Sequence, residues 1–253
     1  ELNGVALATN LAAFRLGRRI AADPSLLDQL GSIDETVPAP PLDPMAAGIT
    51  DDPALNEILA WRIPELVEWE DAAYARRYLA VIRRVRDAEA RVVGEQTDLS
   101  QSVARHLYKF MAYKDEYEVA RLALRADPEA SGVSGKVSYQ LKPPTMKAVG
   151  YDKKVSIPEA AGRAMFQGLL RTKRLRNTRL DPFGRTEERR TERALIGEYT
   201  ELVELLITDL DTAGYDTAVE IAQLADMVRG FDTVKMANVE RYRAAVAEQL
   251  AAR

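Results

Sequence analysis

Apolar residues recurring at steps of three, four and seven constrain this chain more than any other feature. Val67, Tyr74, Tyr78, Val81, Val85, Ala88 and Val92 form one such series, and Val103, Leu107, Phe110, Tyr113, Tyr117, Ala120 and Leu124 form another. At about 100° per residue each series falls on one face of a helix, whereas a half-buried strand would need strict alternation. The spacing predicts a long helix from Pro64 to about Val93, with the proline tolerated in its first turn. A second is expected from Thr97-Asp98 to about Ala126, stopped by Asp127-Pro128.

Further helices are expected over 159–175, over 186–210 with Thr186 as N-cap and Glu187 and Glu188 in the first turn, and from Asp232 to the end. The pieces "KVSYQLKPP" and "KKVSIP" are β-prone but too short for a real sheet. The expected fold class is therefore all-α, a helical domain of long antiparallel helices with at most a small β-hairpin near 136–157, turning at Gly150.

Proline sets the domain organisation. The first apolar segment ends at Asp23-Pro24, and prolines at 38, 40, 41, 44 and 53 follow. We read 1–22 as a terminal helix, 23–50 as a proline-rich linker and 51–253 as the helical domain. Beginning with Glu1 in mid-pattern, the chain reads as a piece of a longer polypeptide.

The absence of cysteine excludes disulfides, thiolate nucleophiles and cysteine-ligated zinc or iron–sulfur centres from this chain, and points to a reducing, cytoplasmic setting. A net charge of -4 argues for neither a nucleic-acid nor a membrane partner. His106 is the only histidine and has no nucleophile or carboxylate placed by sequence to complete a triad. The "GVSG" at 132–135 lacks the spacing of a dinucleotide loop. No catalytic residue and no metal site are expected.

Two charge clusters stand out. Lys114, Glu118 and Arg121 fall into a narrow strip beside the second apolar stripe, where unpaired charge would be costly, so a buried ion-pair network is expected. The stretch "RTKRLRNTRLDPFGRTEERRTER", 171–193, holds nine basic and four acidic residues, a net of +5. Its Arg171, Lys173, Arg174, Arg176, Arg179, Arg185 and Arg189 are candidate ligand-binding residues. An internally paired face, a site for a phosphate-bearing ligand and a nucleic-acid patch all remain open, because the arginine fork suits carboxylate and phosphate equally. Only Phe183 interleaves the run, which weakens the nucleic-acid reading. Within it, 180–185 is expected to form an ordered turn, with Asp181 as acceptor, Phe183 as an apolar plug and Gly184 at positive φ.

Taken together and in order, "MAYKDEYEVARL", "LKPP", "KRLRNTRLDPFGRTEERRTERALIGEY" and "VRGFDTVKMANV" resemble the C-terminal region of the long, fused indolepyruvate:ferredoxin oxidoreductase family. The opening "LNGVALATNLAAFRLGRRIAADP" resembles the last helix of that polypeptide's gamma-type catalytic domain. The resemblance implies a parent enzyme that converts aryl 2-oxo acids and CoA to acyl-CoA and reduces ferredoxin, using thiamine diphosphate, magnesium and iron–sulfur clusters. None of those cofactors is expected in this piece, whose implied role is a noncatalytic structural or interaction domain. Implied partners are the upstream catalytic domains, ferredoxin and CoA, with a homodimer allowed. A ligand-sensing, CoA-phosphate-binding or ferredoxin-docking role for 171–193 is the alternative. The chain departs from the family pattern at Asp232-Thr233, where a glycine-histidine pair is common, at Ala225, where proline is, and at Asn177, where glycine is.

Overall fold

The structure is a computed structural model that describes residues 7–26, 38–126, 138–141 and 155–252. Much of the expected linker, the "GVSG" stretch and the Gly150 turn lie outside the described residues. The chain divides into two compact units, Glu1–Pro38 and Ala39–Arg253. In the first, α1 runs Leu7–Ala22.

The second unit begins before residue 50. A short 3-10 turn, Pro44–Ala46, is capped by the Asp43 carboxylate, and Ala46 and Ile49 are buried with the helices that follow, so the break falls at 38–39 rather than near 50. Eight of the nine helices among the described residues belong to this unit: α2 Pro53–Trp69, α3 Ala72–Val93, α4 Asp98–Met111, α5 Glu116–Arg125, α6 Glu159–Arg171, α7 Glu187–Thr208, α8 Tyr215–Gln223 and α9 Asp232–Ala252. β1 Ser138–Leu141 pairs antiparallel with β2 Val155–Pro158, Tyr139 opposite Ile157. The fold is all-α with a small hairpin.

Aspartate side chains start three of these helices. Asp52, Asp71 and Asp115 accept the amides of Leu55, Tyr74 and Glu118 at 2.6, 2.8 and 2.8 Å. Each satisfies a donor left free in a first turn. Two expectations are corrected by these caps. The helix expected to begin at Pro64 in fact begins at Pro53 and carries Pro64 in its interior, and Asp71 then restarts the chain as α3. The helix expected to run unbroken to Ala126 stops at Met111 and restarts at Glu116.

That second break is held by aromatic donors. Tyr74 Oη donates to the Met111 carbonyl at 3.0 Å, and Trp69 Nε1 to the Tyr113 carbonyl at 3.1 Å. The Met111 carbonyl, left without an intrahelical amide at the helix end, finds its donor on a neighbouring element, and the Tyr113 carbonyl adds the indole to the Asp115 amide it already accepts at 3.1 Å.

α4 is the hub of the core, touching α2, α3, α7 and α8. Leu99, Val103, Ala104 and Leu107 are all but fully buried in it, together with Tyr78, Ile82, Tyr199 and Ile221 from around it. α8 has no counterpart in the sequence reading. The hairpin and α6 form a smaller layer against α5. There Tyr139 lies edge-on to Phe166 and directly over Gly162, where a Cβ would come within 2.3 Å of the ring. Only glycine admits that approach.

Candidate functional site: charged clusters and a cavity beside the central helix

The expected ion-pair network exists with a different membership. Arg121 binds Glu118 through Nε and Nη2 at 2.9 and 2.8 Å, reaches Glu65 at 2.5 Å and also pairs with Glu68. Arg125 adds contacts to Glu65 and Glu68 at 2.9 and 3.3 Å. These carboxylates belong to α2, so the network ties α5 to α2. Hydrogen bonds donated to Glu118 and Glu65 hold the Arg121 guanidinium more firmly protonated than usual. Lys114 is corrected: it is exposed, in the segment between α4 and α5, and joins no ion pair among the described residues. The helix break turns it away from the strip that continuous winding would give.

A second, more deeply buried pair lies next to it. Arg176 meets Asp115 through Nε–Oδ2 at 2.6 Å and Nη2–Oδ1 at 2.8 Å, with both side chains about 5% exposed or less. The same guanidinium donates to the Trp69 carbonyl and lies 3.8 Å from the Trp69 ring centroid. A planar, delocalised cation stacked on indole and forked onto a carboxylate uses what distinguishes Arg from Lys. Asp115 is a member that sequence reasoning missed. Its signal was that of a helix cap, which the unbroken apolar stripe concealed.

The basic segment thus separates into unlike parts. Arg176 is committed to Asp115, and Arg189 to Glu192 at 2.5 Å and Glu116 at 3.5 Å. Lys173 donates to the Glu68 carbonyl at 2.6 Å and Arg185 to that of Arg179 at 3.0 Å. Arg171, Arg174 and Arg179 are exposed and form no ion pair among the described residues. The seven do not converge on one site.

The turn at 180–185 is hydrogen-bonded around Asp181, with Phe183 packed beside it. Buried Asp181 accepts from the amides of Asn177 and Phe183, both at 3.0 Å, and from the Tyr117 hydroxyl, while Phe183 packs edge-on against Tyr117. Positive φ falls not on Gly184 but on Asn177, at 61°. Gly184 is needed for closeness instead, since a Cβ there would lie 2.7 Å from the Asp181 carboxylate.

A cavity of about 780 Å³ opens beside the C-terminal half of α4. Phe110, Tyr113, Leu195 and Val228 give it a buried apolar floor. His106 lies in its wall, its Nδ1 2.8 Å from the Ser102 carbonyl. A carbonyl can only accept, so Nδ1 carries the proton and Nε2 is left as an acceptor. Burial lowers the His106 pKa below its usual 6.5 despite that bond. Arg62 lies 4.4 Å over the Tyr108 ring, and Lys109 donates to the carbonyls of Ala225 and Asp226. Sequence reasoning did not find this cavity, because its walls come from α2, α4, α5, α7, the loop before α9 and the start of α9.

Among the described residues no group of three His, Cys, Asp or Glu side chains is arranged to hold a metal ion, and no helix is long and apolar enough to cross a membrane. No curated protein and no solved structure matches the chain. The family model DUF6537, described as a family of unknown function, matches residues 55–248. That span takes in the hub helix, the Asp115–Arg176 pair and the cavity, and the chain belongs to the DUF6537 family.

Proposed function

We propose that residues 39–253 are a noncatalytic structural and interaction domain of a cytoplasmic oxidoreductase of the fused indolepyruvate:ferredoxin type. On this reading α1 closes the catalytic domain upstream, and the parent converts aryl 2-oxo acids and CoA to acyl-CoA while reducing ferredoxin. Thiamine diphosphate, magnesium and the iron–sulfur clusters belong to the upstream domains.

One observation carries the reading. Two of the sequence blocks behind the resemblance, 111–122 and 173–199, meet in a single buried knot in which Asp115 grips Arg176 and Tyr117 reaches Asp181. Residues shared for a structural reason would be expected at such a place. Asn177 adds support: it stands where the family has glycine, and its φ of 61° is a conformation that glycine adopts without strain. A docking role for an acidic ferredoxin is a second reading, favoured by the exposed Arg171, Arg174 and Arg179.

The test is a parent polypeptide prepared with and without residues 39–253, assayed for arylpyruvate-dependent ferredoxin reduction, cofactor content and assembly size. Truncation is expected to leave thiamine diphosphate and iron in place while impairing assembly or ferredoxin turnover. Stoichiometric thiamine diphosphate or iron in the 253-residue chain would overturn the proposal, as would a parent without 2-oxo acid oxidation.

A further inference from the structure

The cavity beside α4 carries charges that do not cancel. Four of its carboxylates are taken up by cations: Glu118 and Glu65 by Arg121 and Arg125, Glu192 by Arg189 and Lys235, and Asp226 by Lys109 and Arg229. Against them, Arg62, Arg105 and Lys114 also line the cavity and form no ion pair among the described residues. Among the described residues of the lining, Glu188 is the carboxylate left in the same state. Three unneutralised cations face one unneutralised anion, so the space has a positive potential that concave, apolar walls would focus.

Its floor has the opposite character. Phe110, Leu195 and Val228 are core residues at its base, while Phe231, 76% exposed, and the half-buried Tyr108 and Leu122 present apolar surface to the space. A volume of about 780 Å³ lies within the usual range for small-molecule sites, in which apolar walls supply contact area and a few polar groups set orientation. Inorganic anions would leave the floor unused, and apolar molecules would leave the cations unanswered.

We propose that this cavity binds a small organic anion, an apolar body bearing one carboxylate, sulfonate or phosphate group. The body lies against Phe231, Tyr108 and Leu122, and the charge is met by Arg62, Arg105 or Lys114. The proposal uses only this cavity and does not depend on which enzyme carries the domain.

Because His106 is the only histidine in the chain and lies in the cavity wall, its imidazole C–H resonances report on this site alone. Phenyl phosphate and 2-naphthoate are titrated into the 253-residue chain, with phenethylamine and inorganic phosphate as comparisons. Both aromatic anions are expected to shift the His106 signals saturably with midpoints of about 1 mM or below. Phenethylamine should leave the signals in place, and inorganic phosphate should need about tenfold more. In the Arg105→Gln/Lys114→Gln chain, whose altered side chains are exposed and form no ion pair among the described residues, the midpoint should rise about fivefold. The proposal is overturned if neither aromatic anion saturates, if phenethylamine binds as well, or if the double variant binds unchanged. The first two comparisons need no variant to fold.

Discussion

Glu89, in the last turns of α3, accepts the backbone amide of Leu99 at 2.8 Å, so a carboxylate from one helix caps the start of the next. Thr97, the N-cap residue of α4, makes no side-chain capping bond of its own. Glu89 is fully buried and also accepts from the Ser100 amide and hydroxyl and, at 2.7 Å, from the Tyr215 hydroxyl of α8, with Arg86 3.6 Å away. One side chain therefore ties α3, α4 and α8 together.

Glu89→Ala should cost about 3–5 kcal/mol, since it strands several buried donors and the Arg86 charge at once. Glu89→Gln keeps an acceptor oxygen and should cost roughly half as much. Urea denaturation with an unchanged slope measures both; a loss for Glu89→Ala no larger than that of a surface substitution would contradict the role.

The α5–α2 network predicts unequal effects within one charged strip. Arg121→Ala removes the partner shared by Glu65, Glu68 and Glu118 and should cost about 2–3 kcal/mol. Glu118→Ala should cost about 1–2 kcal/mol, less than for an isolated buried pair, because Arg121 keeps two other carboxylates. Lys114→Ala, exposed and unpaired, should stay within about 0.5 kcal/mol. Thermal denaturation of the three variants side by side tests the ranking.

Asn177 should respond to substitution in two directions. Asn177→Gly relieves the left-handed backbone but loses the bond accepted from the Tyr113 hydroxyl at 3.2 Å, so its stability should lie within about 0.5 kcal/mol of the parent chain. Asn177→Ala suffers both the strain and the lost bond and should fall by about 1–2 kcal/mol. Equal denaturation midpoints for the two variants would argue against strain at this position.

His106 should make the fold more sensitive to acid. Its pKa is lowered in the folded chain, chiefly by burial and also by Lys109 and Arg105, with Asp226 acting in the opposite sense. The unfolded chain therefore binds this proton more readily. The linked stability is fully present above the unfolded value of about 6.5 and is lost as pH falls through it toward the folded pKa. A His106→Gln chain should lose less stability than the parent between about pH 7.5 and pH 5.5. Parallel losses would place the His106 pKa near its unfolded value.

Sequence periodicity located most helices, because a buried face repeats every three or four residues whatever it packs against. It also found the Thr186 cap, whose hydroxyl accepts from the Arg189 amide at 3.3 Å, and the hairpin. What it missed is not periodic. Tyr113 and Tyr117 are both buried, as their spacing required, yet the chain changes direction between them. α8 is nine residues long, too short for a stripe to stand out. The Glu89 cap, the Asp115–Arg176 pair and the cavity each join residues distant in the chain, and no local pattern records them.

The aromatic donors at the α4–α5 break carry a wider consequence. Phenylalanine in place of Tyr74 would be nearly indistinguishable by hydropathy and would fill the same space, but it could not satisfy the Met111 carbonyl. The direction of the chain after α4 is thus written in single heteroatoms on rings some 40 residues upstream. Across family members, the hydroxyl at position 74 and the indole at position 69 should be inherited together with Asp115 and Arg176, as one unit of spelling whose letters lie far apart in the text.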